Sequence, residues 1–211
     1  ATEEYPDINV SLRGATPVTV SDSNGTIYDP NGIKVDVLKQ VKEVERARLT
    51  RYAELVPTAQ YTPVDKYPAG KHQVWTYNVD CAFPCATQNE VDLEEAMKII
   101  KNGTKYYVEV SNMPTTNDAL EYLQENAVVA PSKAVNAGGV AVSALEMSQD
   151  SMRYSWSAEE VDEKLREIMK NIYTNSVTAA EEYGCGYNLV AGANIAGFLK
   201  VADAMMQQGI F

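Results

Sequence analysis

Short apolar runs alternate with longer amphipathic stretches over the first two thirds of the chain. The runs are rich in Val and Tyr, end in Ser, Asn, Pro or Gly turns, and lie at residues 17–20, 79–83, 106–110 and 127–130. Such runs are typical of strands buried on both faces of a parallel sheet. Helical periodicity separates them, at roughly residues 34–55, 93–101 and 116–125. This order predicts an α/β fold built on a doubly wound, mostly parallel sheet.

The last third changes character, because from Val140 onward the periodicity is helical. Ser157 and Glu160 form a capping-box pattern, and apolar residues follow them at helix-face spacing. A final helix is expected from residue 194 to about residue 208, with Gly209 as the residue that ends it. Residues 140–211 are therefore expected to form a C-terminal helical part without strands.

The length of 211 residues is enough for one domain with a sizeable core. We interpret residues 1–211 as a single domain, with residues 1–12 as a divergent N-terminal segment. The formal net charge of -11, with dispersed Lys and Arg, argues against nucleic-acid and anionic-membrane partners. No uninterrupted apolar run approaches the roughly 20 residues that span a bilayer, and the acidic start does not match a signal peptide. These features predict a cytoplasmic protein.

Metal and nucleophile chemistry have little support in the sequence. Cys81, Cys85 and Cys185 are the three cysteines, and His72 is the single histidine. This set lacks the His partners and the spacing of a zinc site, and no Gly-x-Ser-x-Gly motif is present. We expect reduced thiols and no metal. Prolines and tyrosines make residues 57–75 the best candidate for an irregular segment.

A polar or glycine-containing turn follows each predicted strand, at residues 21–23, 85–89, 111–112 and 136–139. In an open parallel sheet, ligands bind beyond the carboxyl ends of the strands, where these turns converge. The Gly138-Gly139 pair is expected to form a bare backbone turn that a ligand can touch. The side chains suit ribose hydroxyls, a carboxamide and pyrophosphate, but supply no proton-transfer group. Each turn alone is more typical of an ordinary turn or helix cap than of a ligand contact.

Five motifs in a fixed order carry a family resemblance. They are Pro84-Cys-Ala-Thr-Gln-Asn89, Asn112-Met-Pro-Thr-Thr116, Asn136-Ala-Gly-Gly-Val140, Glu146-Met-Ser-Gln149 and Gly192-Ala-Asn-Ile-Ala-Gly-Phe198. Together they resemble the glutamate dehydrogenases, and the small hexameric bacterial type is nearest. The resemblance implies a Rossmann-like nucleotide-binding domain that lacks its first βα unit. It also implies a parent homohexamer that interconverts L-glutamate and 2-oxoglutarate plus ammonia, with hydride transfer to or from NAD or NADP.

The resemblance assigns roles to cofactor-binding positions at the first three turns. Asp22, with Ser21 and Ser23, matches the strand end that faces the adenosine ribose. Thr87 and Gln88 match the loop beside the cofactor. By simple electrostatics, Asp22 favours a free ribose 2′-hydroxyl and hence NAD. NADP-using members share the Ser-Asp-Ser form, with a basic residue that offsets the acid, and Arg48 lies about where that residue is expected. A solvated surface position is at least as good an interpretation of Arg48.

Four further positions match the nicotinamide and substrate end of the family site. Asn112 matches an asparagine near the nicotinamide-side ribose, and Asn136 matches the residue that meets the nicotinamide carboxamide. Val140 and Ser143 match positions that line the amino-acid pocket. By the same resemblance, the Ser143 hydroxyl donates to the side-chain carboxylate of the substrate.

The sequence departs from the family at its start. Residues 1–12 contain no glycine, so the family's Gly-x-Gly-x-x-Ala turn is missing, as is the N-terminal substrate domain with the catalytic lysine and aspartate. We interpret the chain as a fragment, in preference to a replacement strand at residues 8–10 or pairing with a second copy. The chain alone is expected to be inactive. The alternative functions are a non-catalytic Rossmann-like nucleotide-binding or interaction module, and a related amino-acid dehydrogenase.

Overall fold

A computed structural model describes residues 14–68 and 71–209. These residues form two compact units. The N-terminal unit comprises residues 14–79 with 101–103, and the C-terminal unit comprises residues 80–100 and 104–209. The sequence led us to expect a single domain, and that domain assignment stays a prediction. The predicted N-terminal segment 1–12 and the replacement strand at 8–10 lie outside the described residues.

The N-terminal unit contains an antiparallel sheet of three strands in the order β1-β2-β3, which are Thr19–Asp22, Gly25–Tyr28 and Gln60–Pro63. Asp22 pairs with Gly25, so a two-residue loop at Ser23 and Asn24 joins β1 to β2. The Asn24 backbone N–H donates to Asp22 Oδ1 at 2.9 Å and fixes this turn. The expectation of a parallel strand at residues 17–20 is therefore wrong, because the hairpin turn makes β1 pair with β2 in the antiparallel direction.

The predicted helix at 34–55 is interrupted in the structure. Helix α1 covers Val35–Lys39 and continues into one π-helical turn at Gln40–Val44, and α2 covers Leu49–Leu55. Between them Arg46 adopts a positive φ of 49°, which no α-helix continues through. Both helices still bury apolar side chains against the sheet, in a cluster of Ile27, Ile33, Leu38, Val41, Leu49, Tyr52 and Val56. Strand β3 and short 3₁₀ turns at Val64–Lys66 and Gln73–Thr76 occupy the segment expected to be irregular.

The C-terminal unit contains the parallel sheet that the sequence predicts. Strands β4 (Cys81–Ala82), β5 (Tyr106–Val108) and β6 (Val128–Ala130) pair in parallel in that order. Helix α3 (Leu93–Lys101) follows β4 and α4 (Asn117–Asn126) follows β5, within one residue of the expected bounds. Each strand–helix–strand step therefore forms a βα crossover. The α/β fold class is confirmed.

After β6 the described chain is helical, as expected. It forms α5 (Ser132–Val135), α6 (Ala137–Met152), α7 (Ala158–Glu182) and α8 (Leu189–Gln208). The capping box is confirmed, since Glu160 N donates to Ser157 Oγ at 3.2 Å and Ser157 N donates to Glu160 Oε2 at 2.8 Å. The last helix begins five residues before its expected start, because Asn188 Oδ1 accepts from Ala191 N at 2.9 Å and caps it there.

Two glycines set how the long helices meet. A Cβ on Gly192 of α8 would lie 1.9 Å from the Ser176 carbonyl oxygen of α7, so only glycine permits this close approach. Gly138 and Gly139 lie in the first turn of α6 and do not form the expected bare turn. The Leu165 and Met169 side chains of α7 lie 3.4 Å from the Cβ position of Gly138. Gly138 thus faces α7, whereas Gly139 has open space beside it.

Helix α8 combines a packed first half with an exposed second half. Leu189 and Gly192 are buried, whereas Val201 is 56% exposed and Met206 is 75% exposed. Within residues 14–68 and 71–209, it is the one helix whose length and composition would allow it to cross a membrane. Its mean hydropathy is 1.4 over 18 residues, whereas no uninterrupted apolar run of that length was evident in the sequence. The second half thus presents apolar side chains to solvent.

Candidate functional site

Two loops of the C-terminal unit lie side by side at the carboxyl end of the parallel sheet. The Pro84 carbonyl oxygen accepts from the backbone N–H groups of Val110 and Ser111, both at 3.1 Å. Asn89 N donates to Met113 O at 2.9 Å, further along the same pair of loops. We call residues 84–91, 111–116 and 136–143 the rim. Its loops converge as the parallel-sheet prediction requires.

Asn112 and Asn136, two predicted site residues, are in direct contact. Asn136 Nδ2 donates to Asn112 Oδ1 at 2.7 Å and to the Val110 carbonyl oxygen at 3.2 Å. These two bonds use both hydrogens of the Asn136 amide. Within the described part of the chain, Asn136 Oδ1 and Asn112 Nδ2 have no protein partner. The pair therefore offers one acceptor and one donor to a ligand.

The predicted substrate positions follow Asn136 along one face of α6. Asn136 immediately precedes the helix, and Val140 and Ser143 stand four and seven residues later. Positions i, i+4 and i+7 share a helix face, and a rise of 1.5 Å per residue spreads them over roughly 10 Å. Val140 is 76% exposed, and Ser143 is exposed as well. This face presents an amide, an apolar group and a hydroxyl in line.

Thr87 and Gln88 lie at the exposed tip of the first rim loop. The Glu90 carboxylate accepts from the backbone N–H groups of Ala86 at 3.3 Å and Thr87 at 3.4 Å, which holds the tip in a tight bend. Asn89 completes the bend with a positive φ of 55°. Asparagine tolerates this conformation better than most residues. Both predicted side chains are therefore open to solvent.

Ser21, Asp22 and Ser23 belong to the N-terminal unit, where Asp22 and Ser23 already have protein partners. Asp22 Oδ2 accepts from Leu49 N at 3.2 Å and lies 3.6 Å from Lys42 Nζ. Arg48 Nη1 donates to Ser23 Oγ at 2.9 Å. The structure brings Arg48 to this turn as the sequence suggested, but the cation that offsets Asp22 is Lys42, which sequence reasoning missed.

Sequence reasoning also missed Glu109, which follows β5 and is only 4% exposed. Its Oε1 accepts from Thr115 Oγ1 at 2.7 Å, and its Oε2 accepts from Ser132 N at 3.0 Å. The Tyr107 hydroxyl lies 2.8 Å from Thr115 Oγ1, and burial raises the pKa of this phenol. A carboxylate in a valine- and tyrosine-rich run was the available signal, because a buried charge needs dedicated partners.

Comparison with known proteins agrees with this architecture. The model of the Glutamate/Leucine/Phenylalanine/Valine dehydrogenase family matches residues 8–209. The NAD-specific glutamate dehydrogenase of Clostridium symbiosum is 55% identical over 203 residues, which cover 93% of this chain and 43% of that protein. The NADP-specific enzyme of Helicobacter pylori strain J99 is 48% identical over 198 residues, covering 93% of this chain and 44% of the relative.

A solved structure shows the same fold. The glutamate dehydrogenase of Plasmodium falciparum superimposes with a TM-score of 0.89 at 43% identity, over 98% of this chain and 44% of that one. The chain thus spans less than half the length of these relatives. Because the family model covers nearly all of it, and the relatives share both its sequence and its fold, the chain belongs to the Glutamate/Leucine/Phenylalanine/Valine dehydrogenase family.

Proposed function

We propose that this chain is the nucleotide-binding part of a glutamate dehydrogenase, in which it binds and orients NAD or NADP. The observation that carries the proposal is the Asn112–Asn136 pair, with Asn136 Nδ2 held 2.7 Å from Asn112 Oδ1. The pair leaves one amide acceptor and one amide donor open. A nicotinamide carboxamide presents the complementary donor and acceptor, so the side chains fit this group.

In this proposal the predicted site residues have different roles toward the cofactor. Asn136 and Asn112 orient the nicotinamide end, and Thr87 and Gln88 lie beside the cofactor. By family resemblance, Ser21, Asp22 and Ser23 of the N-terminal unit match the positions that face the adenosine ribose. When bound, the nicotinamide accepts or donates the hydride, and the protein supplies orientation and electrostatics. Relatives named as NAD-specific and NADP-specific both support a nicotinamide dinucleotide, without distinguishing the two.

The amino-acid substrate lies next to Val140 and Ser143 in this proposal. Ser143 follows Asn136 by seven residues on one face of α6, so it can donate to a substrate carboxylate beside the nicotinamide. The line of Asn136, Val140 and Ser143 contains no acid or base. The proton-transfer groups for interconverting L-glutamate and 2-oxoglutarate would come from a separate substrate domain. This chain alone is therefore expected to be inactive.

The exposed apolar side chains of α6 and α8 support the need for such a domain. Val140 and Met147 of α6, and Phe198, Val201 and Met206 of α8, are all more than half exposed. Exposed apolar patches of this kind usually mark interaction surfaces. A substrate domain would cover them, within a cytoplasmic homohexamer.

The test is a titration of the chain with NADH and with NADPH, followed by nicotinamide fluorescence. Saturable binding is expected, and Asn136→Ala should weaken it by about tenfold, the effect of one or two lost hydrogen bonds. Asn171→Ala is the matched control, since Asn171 is exposed on α7 and should bind as the wild type. Equal affinities for the wild type and Asn136→Ala would refute the proposal.

A second candidate is a related amino-acid dehydrogenase, because the family description also includes leucine, phenylalanine and valine. The exposed hydroxyl of Ser143 favours glutamate, since an apolar substrate side chain would leave it unpaired. Joined to a substrate domain, Ser143→Ala should lose glutamate activity more than activity on leucine. An equal loss on both substrates would favour the second candidate.

A further inference from the structure

The Glu109 carboxylate links the second rim loop to α5, the short helix that leads to the third rim segment. Thr115 lies in the second rim loop, and Ser132 is the first residue of α5, the short helix that leads to Asn136. Glu109 Oε1 accepts from Thr115 Oγ1 at 2.7 Å, and Oε2 accepts from Ser132 N at 3.0 Å. One buried side chain thus contacts both the loop that contains Asn112 and the short helix that ends next to Asn136.

The direction of each hydrogen bond follows from counting hydrogens. The Thr115 hydroxyl has one hydrogen and donates it to Glu109, so the Tyr107 hydroxyl, 2.8 Å away, must donate to Thr115. Ser132 N is a first-turn donor that no residue of its own helix can satisfy, and the preceding Pro131 supplies no side-chain cap. Both carboxylate oxygens are therefore needed as acceptors.

The two segments are joined a second time at the other end of α5, where Asn136 donates to Val110 O and Asn112 Oδ1. Residues 109–112 and 132–136 consequently run side by side, with Glu109 fixing one end and the asparagine pair the other. Loss of the Glu109 contacts frees the start of α5. Movement there changes where Asn136 points, since four helical residues are too short to hold their own direction.

We propose that Glu109 is a positioning residue that aligns the Asn112–Asn136 pair with the nicotinamide carboxamide. The identity of the ligand in this inference rests on the proposed function. The alignment of Asn112 and Asn136 by Glu109 rests on the hydrogen bonds alone. Glu109 does not touch the cofactor. It acts through Ser132 and Thr115, and a glutamine could satisfy only one of these two donors as an acceptor.

The N-terminal unit offers a matched control in Asp29, which is fully buried. Its Oδ1 accepts from Asn31 N at 2.9 Å, and its Oδ2 accepts from Thr58 Oγ1 at 2.8 Å, the same two kinds of donor that Glu109 receives. Asp29→Asn therefore removes an equivalent buried carboxylate that has no contact of its own with Asn112 or Asn136. Any effect of a general loss of stability should appear in both variants.

The first experiment measures hydrogen–deuterium exchange in wild type, Glu109→Gln and Asp29→Asn. Glu109→Gln should raise the exchange rate about tenfold or more in peptides covering residues 109–116 and 131–140. In the wild type, local opening must break the hydrogen bonds of Glu109 to both Thr115 and Ser132, whereas the glutamine accepts only one of them. Asp29→Asn should leave these peptides as in the wild type. Unchanged exchange at 131–140 in Glu109→Gln would overturn the proposal. Thr115→Val, which removes one donor and keeps the carboxylate, should give a smaller increase and serves if Glu109→Gln fails to fold.

The second experiment compares NADH with ADP-ribose, which lacks nicotinamide. Glu109→Gln should weaken NADH binding about fivefold and change ADP-ribose binding less than twofold, and adding Asn136→Ala should cause little further loss. An equal loss for both ligands indicates a merely structural role and refutes the proposal. If wild type binds NADH no better than ADP-ribose, the proposed function fails, and the exchange result decides the alignment separately.

Discussion

The two units treat their polar turn residues in opposite ways. In the N-terminal unit, Asp22 accepts from Leu49 N and lies 3.6 Å from Lys42, and Ser23 accepts from Arg48. In the C-terminal unit, Asn112 and Asn136 bind each other and still leave a donor and an acceptor open. Residues that match the same family site therefore differ in availability. The hydrogen-bonded side chains of Asp22 and Ser23 stabilise their turn, whereas the unpaired amide groups of Asn112 and Asn136 can bind a ligand.

Packing of the C-terminal helices should show the largest effect. Gly192→Ala places a methyl group 1.9 Å from the Ser176 carbonyl oxygen, so α7 and α8 must separate. We expect a loss of about 3 kcal/mol in the free energy of unfolding, the upper range for overpacking. Gly197→Ala on the same helix meets nothing within 4 Å and should be neutral or slightly stabilising. Urea unfolding measures both, and similar losses would contradict the close helix contact.

Removing one polar residue from each unit tests the comparison directly. Asp22→Ala should cost about 2 kcal/mol of stability, because Leu49 N loses its acceptor and the Lys42 pair is lost. Asn112→Ala should cost less than about 0.5 kcal/mol, since Asn112 is exposed, yet weaken NADH binding about fivefold. Thermal unfolding and fluorescence titration provide the two readouts. If Asn112→Ala proves the more destabilising change, the contrast between the units is wrong.

Alkaline pH provides the third and smallest effect. Burial raises the pKa of Tyr107 above the ordinary phenol value of 10.0. The stabilisation from the protonated form of Tyr107 is complete below about pH 10 and is lost as the pH rises further, because there Tyr107 ionises in the unfolded chain but not in the folded one. The slope is at most about 1.4 kcal/mol per pH unit for one tyrosine. Tyr107→Phe should reduce this slope, and Tyr154→Phe, at a position 65% exposed, should not.

Elements determined by local sequence could be predicted well. Helix α3 matches its expected bounds, and the start of α7 follows its capping box, because amphipathic periodicity and caps act within a few residues. The break between α1 and α2 was not predictable, since it depends on Asp22 accepting from Leu49 N, 27 residues away. The direction of β1 likewise depended on a turn whose type the apolar pattern does not encode.

The candidate site divides in the same way. Asn112 and Asn136 came from motifs, and their contact across 24 residues agrees with converging strand ends. Glu109 escaped notice because its partners stand 6 and 23 residues away, and a single glutamate within an apolar run gives no indication of them. The cofactor and substrate roles of all the predicted site residues, Asn112 and Asn136 included, stay predictions. The bare turn expected at Gly138 and Gly139 was wrong, because both residues lie in the first turn of α6. The neighbours of Gly138 on α7 are residues 27 and 31 positions later, which the local sequence does not indicate.

The open second half of α8 also has a chemical consequence. Met205 is 57% exposed and Met206 is 75% exposed, so peroxide can reach both thioethers. Oxidation makes each side chain a polar sulfoxide and reduces the apolar character of this surface. A domain that covers this surface would shield both sulfurs from peroxide. The rate of methionine oxidation would therefore show whether such a domain is bound to α8.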